Sequence, residues 1–284
     1  GKDIKPLSEF VMVNSVSYGQ ESYELGYYEM EGIKVWLYDI AFPIQEFHVA
    51  AYDFIARMVI DELHKQSKLP IMVGGTGLYM RTLLDPPETL HIPQNKGLRE
   101  EYRDLSVDQL QMQLILRNKS RFEKMNPSDK QNPRRLIRAI EVAEWHNTHE
   151  ESRLPDKNAY DYMFVGLSLD KEDLRQNITK RVDARLKAGF VEEVKGLKLW
   201  DLPDHNPAKA ALGYQHVNDY LATKTSYNEM RERWIMEEVS YAKRQLTFFK
   251  KQHDIKWFNA ADESSKPEIE SLVGKWYSGF NERT

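Results

Sequence analysis

"KLPIMVGGTGLYMRTLL" (Lys68–Leu84) decides how this chain is read. The apolar run Leu69–Val73 predicts a short buried strand, and two glycines and a threonine then lead straight into helical spacing. A strand that passes through glycine into a helix leaves bare amides at the positive end of the helix dipole, here beside the Thr76 hydroxyl. Such a turn suits a phosphate or another polar substrate group at the carboxyl edge of a parallel sheet. The other reading is a tight connection in which glycine supplies a positive φ. No Lys-Ser/Thr closes the run, so it is not a Walker loop, and it misses the dinucleotide fingerprint.

The flanking segments extend the pattern. "FVMV" (Phe10–Val13) reads as an edge strand within a weakly patterned start, and "IKVWLYDI" (Ile33–Ile40) reads as a strand. Apolar residues at helical spacing follow to Lys68, with basic residues near the end, which suit a helix C-terminus. Strand, helix, strand, glycine turn and helix together predict a βαβ unit in a parallel sheet. A proline-rich loop (residues 85–97) then gives way to successive helices over Leu98–Asn147. After a linker containing Pro155, "MFVGLSL" (Met163–Leu169) returns to the sheet. Helices are predicted at Lys171–Gly189, Phe190–Leu199, Tyr214–Leu221 and Tyr227–Gln252, and "IKWF" (Ile255–Phe258) is a last strand. The expected architecture is an α/β core built from residues 1–94 and 156–284, with an all-helical insertion over 95–155.

Composition bounds the function. The chain has 284 residues, of which 41% are hydrophobic and 30% charged, a globular balance. It has no cysteine, which excludes disulfides and thiolate metal sites and fits a reducing cytoplasm. Its apolar runs are too short to span a bilayer. A formal net charge of −4 argues against indiscriminate nucleic-acid binding, so an RNA site would have to be a local basic patch. The histidines show no metal-ligand spacing, and no metal-binding residue is assigned.

Such a patch stands in "NPSDKQNPRRLIRAIEVAEW". Asn132 and Pro133 predict an N-cap and first helical residue. Arg134, Arg135 and Arg138 then fall in the first two turns, where cations oppose the dipole. An anion in front of them would reverse that penalty, and their three- and four-residue spacing lets them converge on it. Leu136, Ile137 and Ile140 would pack the opposite side. The alternative is a solvated basic face paired to nearby glutamates. Lys180, Arg181 and Arg185 form a second basic stretch. "ALGYQ", with Gly213 and Tyr214, and "YAKRQLTFFKKQ", with Arg244, complete the candidates. Tyr214 has the shape to stack on an extruded base, although both stretches also read as core helix with a solvated face.

Taken in order, "LPIMVGGTGLYMRTLL", "NPRRLIRAIEV", "ITKRVDARLKAGFVEEV", "ALGYQ" and "YAKRQLTFF…IKWF" resemble the tRNA dimethylallyltransferases over nearly the whole chain. The resemblance implies a P-loop-NTPase-like parallel sheet and transfer of a dimethylallyl group from its diphosphate to the exocyclic amine of the adenosine beside the anticodon. It implies that Gly75 and Thr76 meet the reacting nucleotide, with Thr76 and Arg181 as catalytic residues and Arg181 at the diphosphate. It implies tRNA contacts by Arg99, by the segment Arg134, Arg135, Leu136, Ile137 and Arg138, and by Gly213, Tyr214 and Arg244. The insertion would face the anticodon stem-loop.

Mg²⁺ is the implied cofactor, dimethylallyl diphosphate and tRNA are the implied partners, and a cytoplasmic monomer is expected. The family's Walker-type loop and its catalytic Asp are not found here. Gly1–Asp3 ("GKD") matches a family segment beyond that Asp, so the chain is expected to lack the first βαβ unit, the general base and most Mg²⁺ ligands. Marginal stability is expected from the open sheet edge. Two other readings remain at this point, an RNA-binding relative without catalysis and a nucleotide kinase.

Overall fold

The computed structural model describes residues 9–90, 92–149, 160–197, 207–252 and 254–281. The chain divides into two compact units, one made of residues 1–80 and 160–284 and the other of residues 81–159. The match at Gly1–Asp3 and the linker at Pro155 lie outside the described residues.

The first unit opens with an antiparallel meander, β1 (Val11–Tyr18), β2 (Glu21–Met30) and β3 (Ile33–Trp36). Two-residue turns set its register. Glu31 and Gly32 both have positive φ (52° and 79°), as a right-handed hairpin twist requires. Along β2, Tyr23 and Leu25 are buried while Ser22 and Glu24 face solvent. That buried face packs with Ile40 and with Ala51, Ile55 and Val59 of helix α1 (Val49–Lys65).

This arrangement corrects the expected βαβ unit in two ways. Residues 33–40 pair antiparallel with β2 only as far as Trp36, and Leu37 and Asp39 then take positive φ. Residues 69–75 form no strand at all. Ile71 and Val73 are 78% and 89% exposed, and among the described residues no strand runs beside them. The segment has strand composition, but pairing and burial come from a neighbour, and its own sequence supplies none.

Helix α2 (Gly77–Leu84) follows the glycine turn, as its spacing predicts. The second unit holds α3 (Lys96–Glu101), α4 (Val107–Lys124), α5 (Pro127–Lys130) and α6 (Pro133–Thr148). Ser106 and Gln109 close a capping box at α4. Asn132 caps α6 through a hydrogen bond from the Arg135 amide, with Pro133 at the first turn. Leu98, Leu110, Leu114, Leu136 and Ile140 form the core of this unit.

The remaining elements return to the first unit. Strand β4 (Phe164–Ser168) precedes α7 (Lys171–Lys187), α8 (Phe190–Gly196), α9 (Tyr214–Leu221) and α10 (Tyr227–Phe249), and β5 (Ile255–Asn259) precedes α11 (Ser265–Asn281). Strands β4 and β5 pair in parallel, from Phe164 opposite Ile255 to Ser168 opposite Asn259. Among the described residues they form a two-stranded parallel sheet separate from the meander. Trp234 and Met230 of α10 are fully buried against Ile178 and Val182 of α7 and Val217 of α9. The sequence reading placed these helices closely, apart from α11, which it did not anticipate. The predicted end of α8 at Leu199 falls outside the described residues.

Candidate active site

The glycine turn is held from behind by α10. A Cβ at Gly75 would collide with the Gln245 side chain, and one at Gly77 with the ring of Phe248. Neither glycine has a positive φ. Close approach of another element, rather than a left-handed backbone, is what demands glycine here. From the other side Tyr52 of α1 stacks on Tyr79 of α2, with ring centroids 4.4 Å apart and planes 18° apart. Burial pushes both phenols up, that of Tyr52 to about 12. Thr76 sits at the head of α2, where its carbonyl accepts from the Tyr79 and Met80 amides at 3.0 and 3.4 Å. Its side chain is exposed, beside a backbone that α1 and α10 keep fixed.

Arg181 belongs to a buried ion network in the same unit. Its Nη2 donates to Glu238 Oε2 at 2.7 Å, and Arg185 Nη1 donates to the other oxygen at 2.8 Å. The Trp234 indole N–H adds a third donor at 3.2 Å. Glu238 is only 3% exposed, whereas the Arg181 side chain is 49% exposed. Arg185 and Trp234 thus keep the carboxylate satisfied, and Arg181 has donors left over for an anion from solvent. The sequence reading singled out Arg181 but missed Glu238, which lies on a distant helix and carries no local signature.

Gly213 is glycine for two reasons. Its φ is +82°, and a Cβ would strike the Trp234 indole. Tyr214 packs its ring on Phe190 at 5.2 Å, and its hydroxyl donates to Glu193 Oε1 at 2.7 Å. The ring is therefore half committed to the core. Arg244, next to Gln245, is exposed, with its guanidinium 5.7 Å from the Tyr241 ring centroid.

In the second unit the arginines separate into two kinds. Arg99 grips Glu141 with Nε at 2.6 Å and Nη2 at 3.1 Å. Arg138 reaches the same carboxylate at 3.0 Å and also donates to the carbonyls of Thr89 and Ile92 at 2.9 and 2.7 Å. Both tie the proline loop to α6. The Glu141 side chain is 1% exposed. Burial alone would raise its carboxyl, but donors from Arg99 and Arg138 outweigh it and hold the group below the usual value of 4.5. Arg134 is exposed, and Arg135, also exposed, pairs with Asp129. Leu136 lies in the core, which leaves its side chain no ligand to meet, and Ile137 is partly buried against the same core.

Among the described residues no cluster of three or more His, Asp or Glu side chains is placed to hold a metal ion. Nor is any helix among them long and apolar enough to cross a membrane.

Comparison with known proteins fixes the lineage. The family described as IPP transferase matches residues 25–252. A tRNA dimethylallyltransferase of Exiguobacterium sp. is 36% identical over 240 residues, covering 83% of this chain and 76% of the relative. One from Thermoanaerobacter sp. is 34% identical over 261 residues, covering 88% and 82%. Among solved structures, the full-length tRNA isopentenylpyrophosphate transferase of Bacillus halodurans is similar at TM-score 0.56 and 28% identity, covering 84% of this chain and 77% of that one. The tRNA delta(2)-isopentenylpyrophosphate transferase of Staphylococcus epidermidis is similar at 0.58 and 26%, covering 87% and 82%. The nucleotide-kinase and binding-only readings are not favoured by these relatives. This chain belongs to the IPP transferase family, whose relatives here are named tRNA dimethylallyltransferases.

Proposed function

We propose that this chain is a tRNA prenyltransferase, carrying a dimethylallyl group from dimethylallyl diphosphate to the exocyclic amine of the adenosine beside the anticodon. The observation that carries the reading is the match of residues 25–252 to one transferase family, with "VGGTGLY" and "NPRRLIRAIE" inside the matched span. In the reaction the amine nitrogen bonds to the allylic carbon. The carbon–oxygen bond to the diphosphate breaks with its electron pair on oxygen, and one amine proton leaves.

This chain's residues serve that reaction by position and charge. The rigid turn at Gly75 and Thr76 offers amides and a hydroxyl to the nucleotide, and the free donors of Arg181 offset charge on the departing diphosphate. Arg134, Arg135 and Arg244 supply cations for the RNA backbone, with Tyr214 beside Gly213 as a further contact. Arg99 and Arg138 act by shaping the loop and helix that carry the others. The helical insertion would face the anticodon stem-loop, since an adenine must leave its stack before its amine can react.

A P-loop-like sheet is part of the reading, supported by the parallel β4–β5 pair and the solved relatives. No residue of this chain is assigned as Walker loop or general base. Mg²⁺ would supply further positive charge for the departing diphosphate, and no residue of this chain is assigned to hold it. A cytoplasmic setting fits a tRNA substrate, and a monomer is part of the reading.

The test is an assay with dimethylallyl diphosphate, Mg²⁺ and an anticodon stem-loop RNA, read by mass spectrometry of the nucleosides. The reading requires the stem-loop to bind, and Thr76→Ala and Arg181→Gln to lower the prenyladenosine formed. Absence of stem-loop binding by the wild-type chain would refute it.

A further inference from the structure

Arg121, in the helical unit, has no counter-ion among the described residues and a side-chain donor shut away from solvent. It follows a break in α4 at Asn118, whose φ and ψ of −158° and 86° are not helical, and the Asn118 side chain accepts from the Arg121 amide at 2.9 Å. The break places the guanidinium in an open cavity of about 690 Å³, lined also by Lys124, Asn126, Asp129, Arg135 and Arg138. Arg121 Nε is buried there without a hydrogen bond. Its dominant charged neighbour is Arg138, and burial followed by that repulsion lowers its pKa. The single carboxylate of the lining, Asp129, is engaged by Arg135. Arg138 is taken by Glu141 and the loop carbonyls.

A guanidinium cannot shed its proton at ordinary pH. A buried donor without an acceptor, beside a like charge, destabilises the free protein. With Arg135 paired to Asp129 and Arg138 to Glu141, Arg121 and Lys124 leave the cavity with a net positive charge. An entering oxyanion would meet the Arg121 Nη donors and the Lys124 ammonium. The geometry points to a seat for a phosphate group at Arg121, between the two halves of α4 and the start of α6. The seat deepens the proposed function by naming what the insertion grips, and it rests on that reading only for the source of the phosphate, an RNA backbone rather than a free ion.

The experiment uses the whole chain and two substitutions, Arg121→Met and Arg121→Lys. Relief of the unanswered charge predicts that Arg121→Met melts a few degrees above the wild type in chloride. Inorganic phosphate at matched ionic strength should raise the wild-type Tm, raise that of Arg121→Lys less, and leave Arg121→Met unmoved. With an anticodon stem-loop RNA, Arg121→Met should bind roughly tenfold more weakly, and the slope of log K against log salt should fall by about 0.7–0.9.

A lost phosphate response with an unchanged RNA slope supports the seat and assigns it to free phosphate. A wild type that binds no RNA but shows the Arg121-dependent shift ends the proposed function and leaves the seat standing. Phosphate and RNA responses that survive in Arg121→Met overturn it. So does an Arg121→Met chain that melts below the wild type in chloride while Arg121→Lys restores the wild-type Tm there, since that pattern marks a structural role.

Discussion

Arg99 and Glu141 stand 42 positions apart and meet through two hydrogen bonds of 2.6 and 3.1 Å, with the carboxylate sealed from solvent. Removing that charge leaves Arg99 and Arg138 without their counter-ion. Glu141→Gln should lower stability by about 3 kcal/mol, because breaking a buried pair strands the remaining charge. The urea midpoint measures it. An unchanged midpoint would mean the network contributes nothing.

The same pair sets a pH dependence. The folded-state value of Glu141 lies below its ordinary 4.5, so the folded chain binds this proton less readily than the unfolded one. Its stabilisation is complete above about pH 5 and is lost as the pH falls through the folded value. The gap in stability between wild type and Glu141→Gln should therefore narrow on acidification. A gap that stays constant from neutral pH to pH 3 would contradict this assignment.

Gly75→Ala and Gly77→Ala should part company. At Gly75 the obstacle is the flexible end of Gln245, which can swing aside, and at Gly77 it is the Phe248 ring. Gly75→Ala should melt within about 0.5 kcal/mol of wild type, and Gly77→Ala should lose about 1–3 kcal/mol. If Gly75→Ala nonetheless loses prenyl transfer, the turn serves a ligand as well as packing.

Arg181 and Arg185 share one carboxylate but differ in exposure, 49% against 15%. Arg185→Gln should cost about 3 kcal/mol, since its charge is the better shielded from water. Arg181→Gln should cost about 1 kcal/mol or less and should show its effect in kcat. Thermal melts alongside steady-state transfer rates separate the two. Equal losses of stability would remove the distinction.

Local chemistry made most of the fold legible. Asn132-Pro133 announced α6, apolar spacing announced α1 and α10, and a return to strand composition found β4 and β5. The meander escaped because its evidence lay in turns: Gly19-Gln20 and Glu31-Gly32 each join strands through two residues. Residues 69–75 were misread for the opposite reason. Their composition fits a strand, but a strand is a relation between segments, and composition cannot provide the neighbour.

The site divides along the same line. Thr76, Arg134 and Arg244 are exposed at helix heads and faces where spacing alone could place them. The partners of Arg99, Arg138 and Arg181 lie 42, 3 and 57 positions away. Only the nearest could be read from spacing. The silence around Arg121 has no sequence signature, since an absent counter-ion is visible only in three dimensions.

The bare run from Ile71 to Val73 bears on how this molecule behaves in company. Its unpaired backbone and uncovered aliphatic side chains offer every other copy the same invitation to stack edge to edge. Crowding, more than heat, would then set the ceiling on a usable preparation.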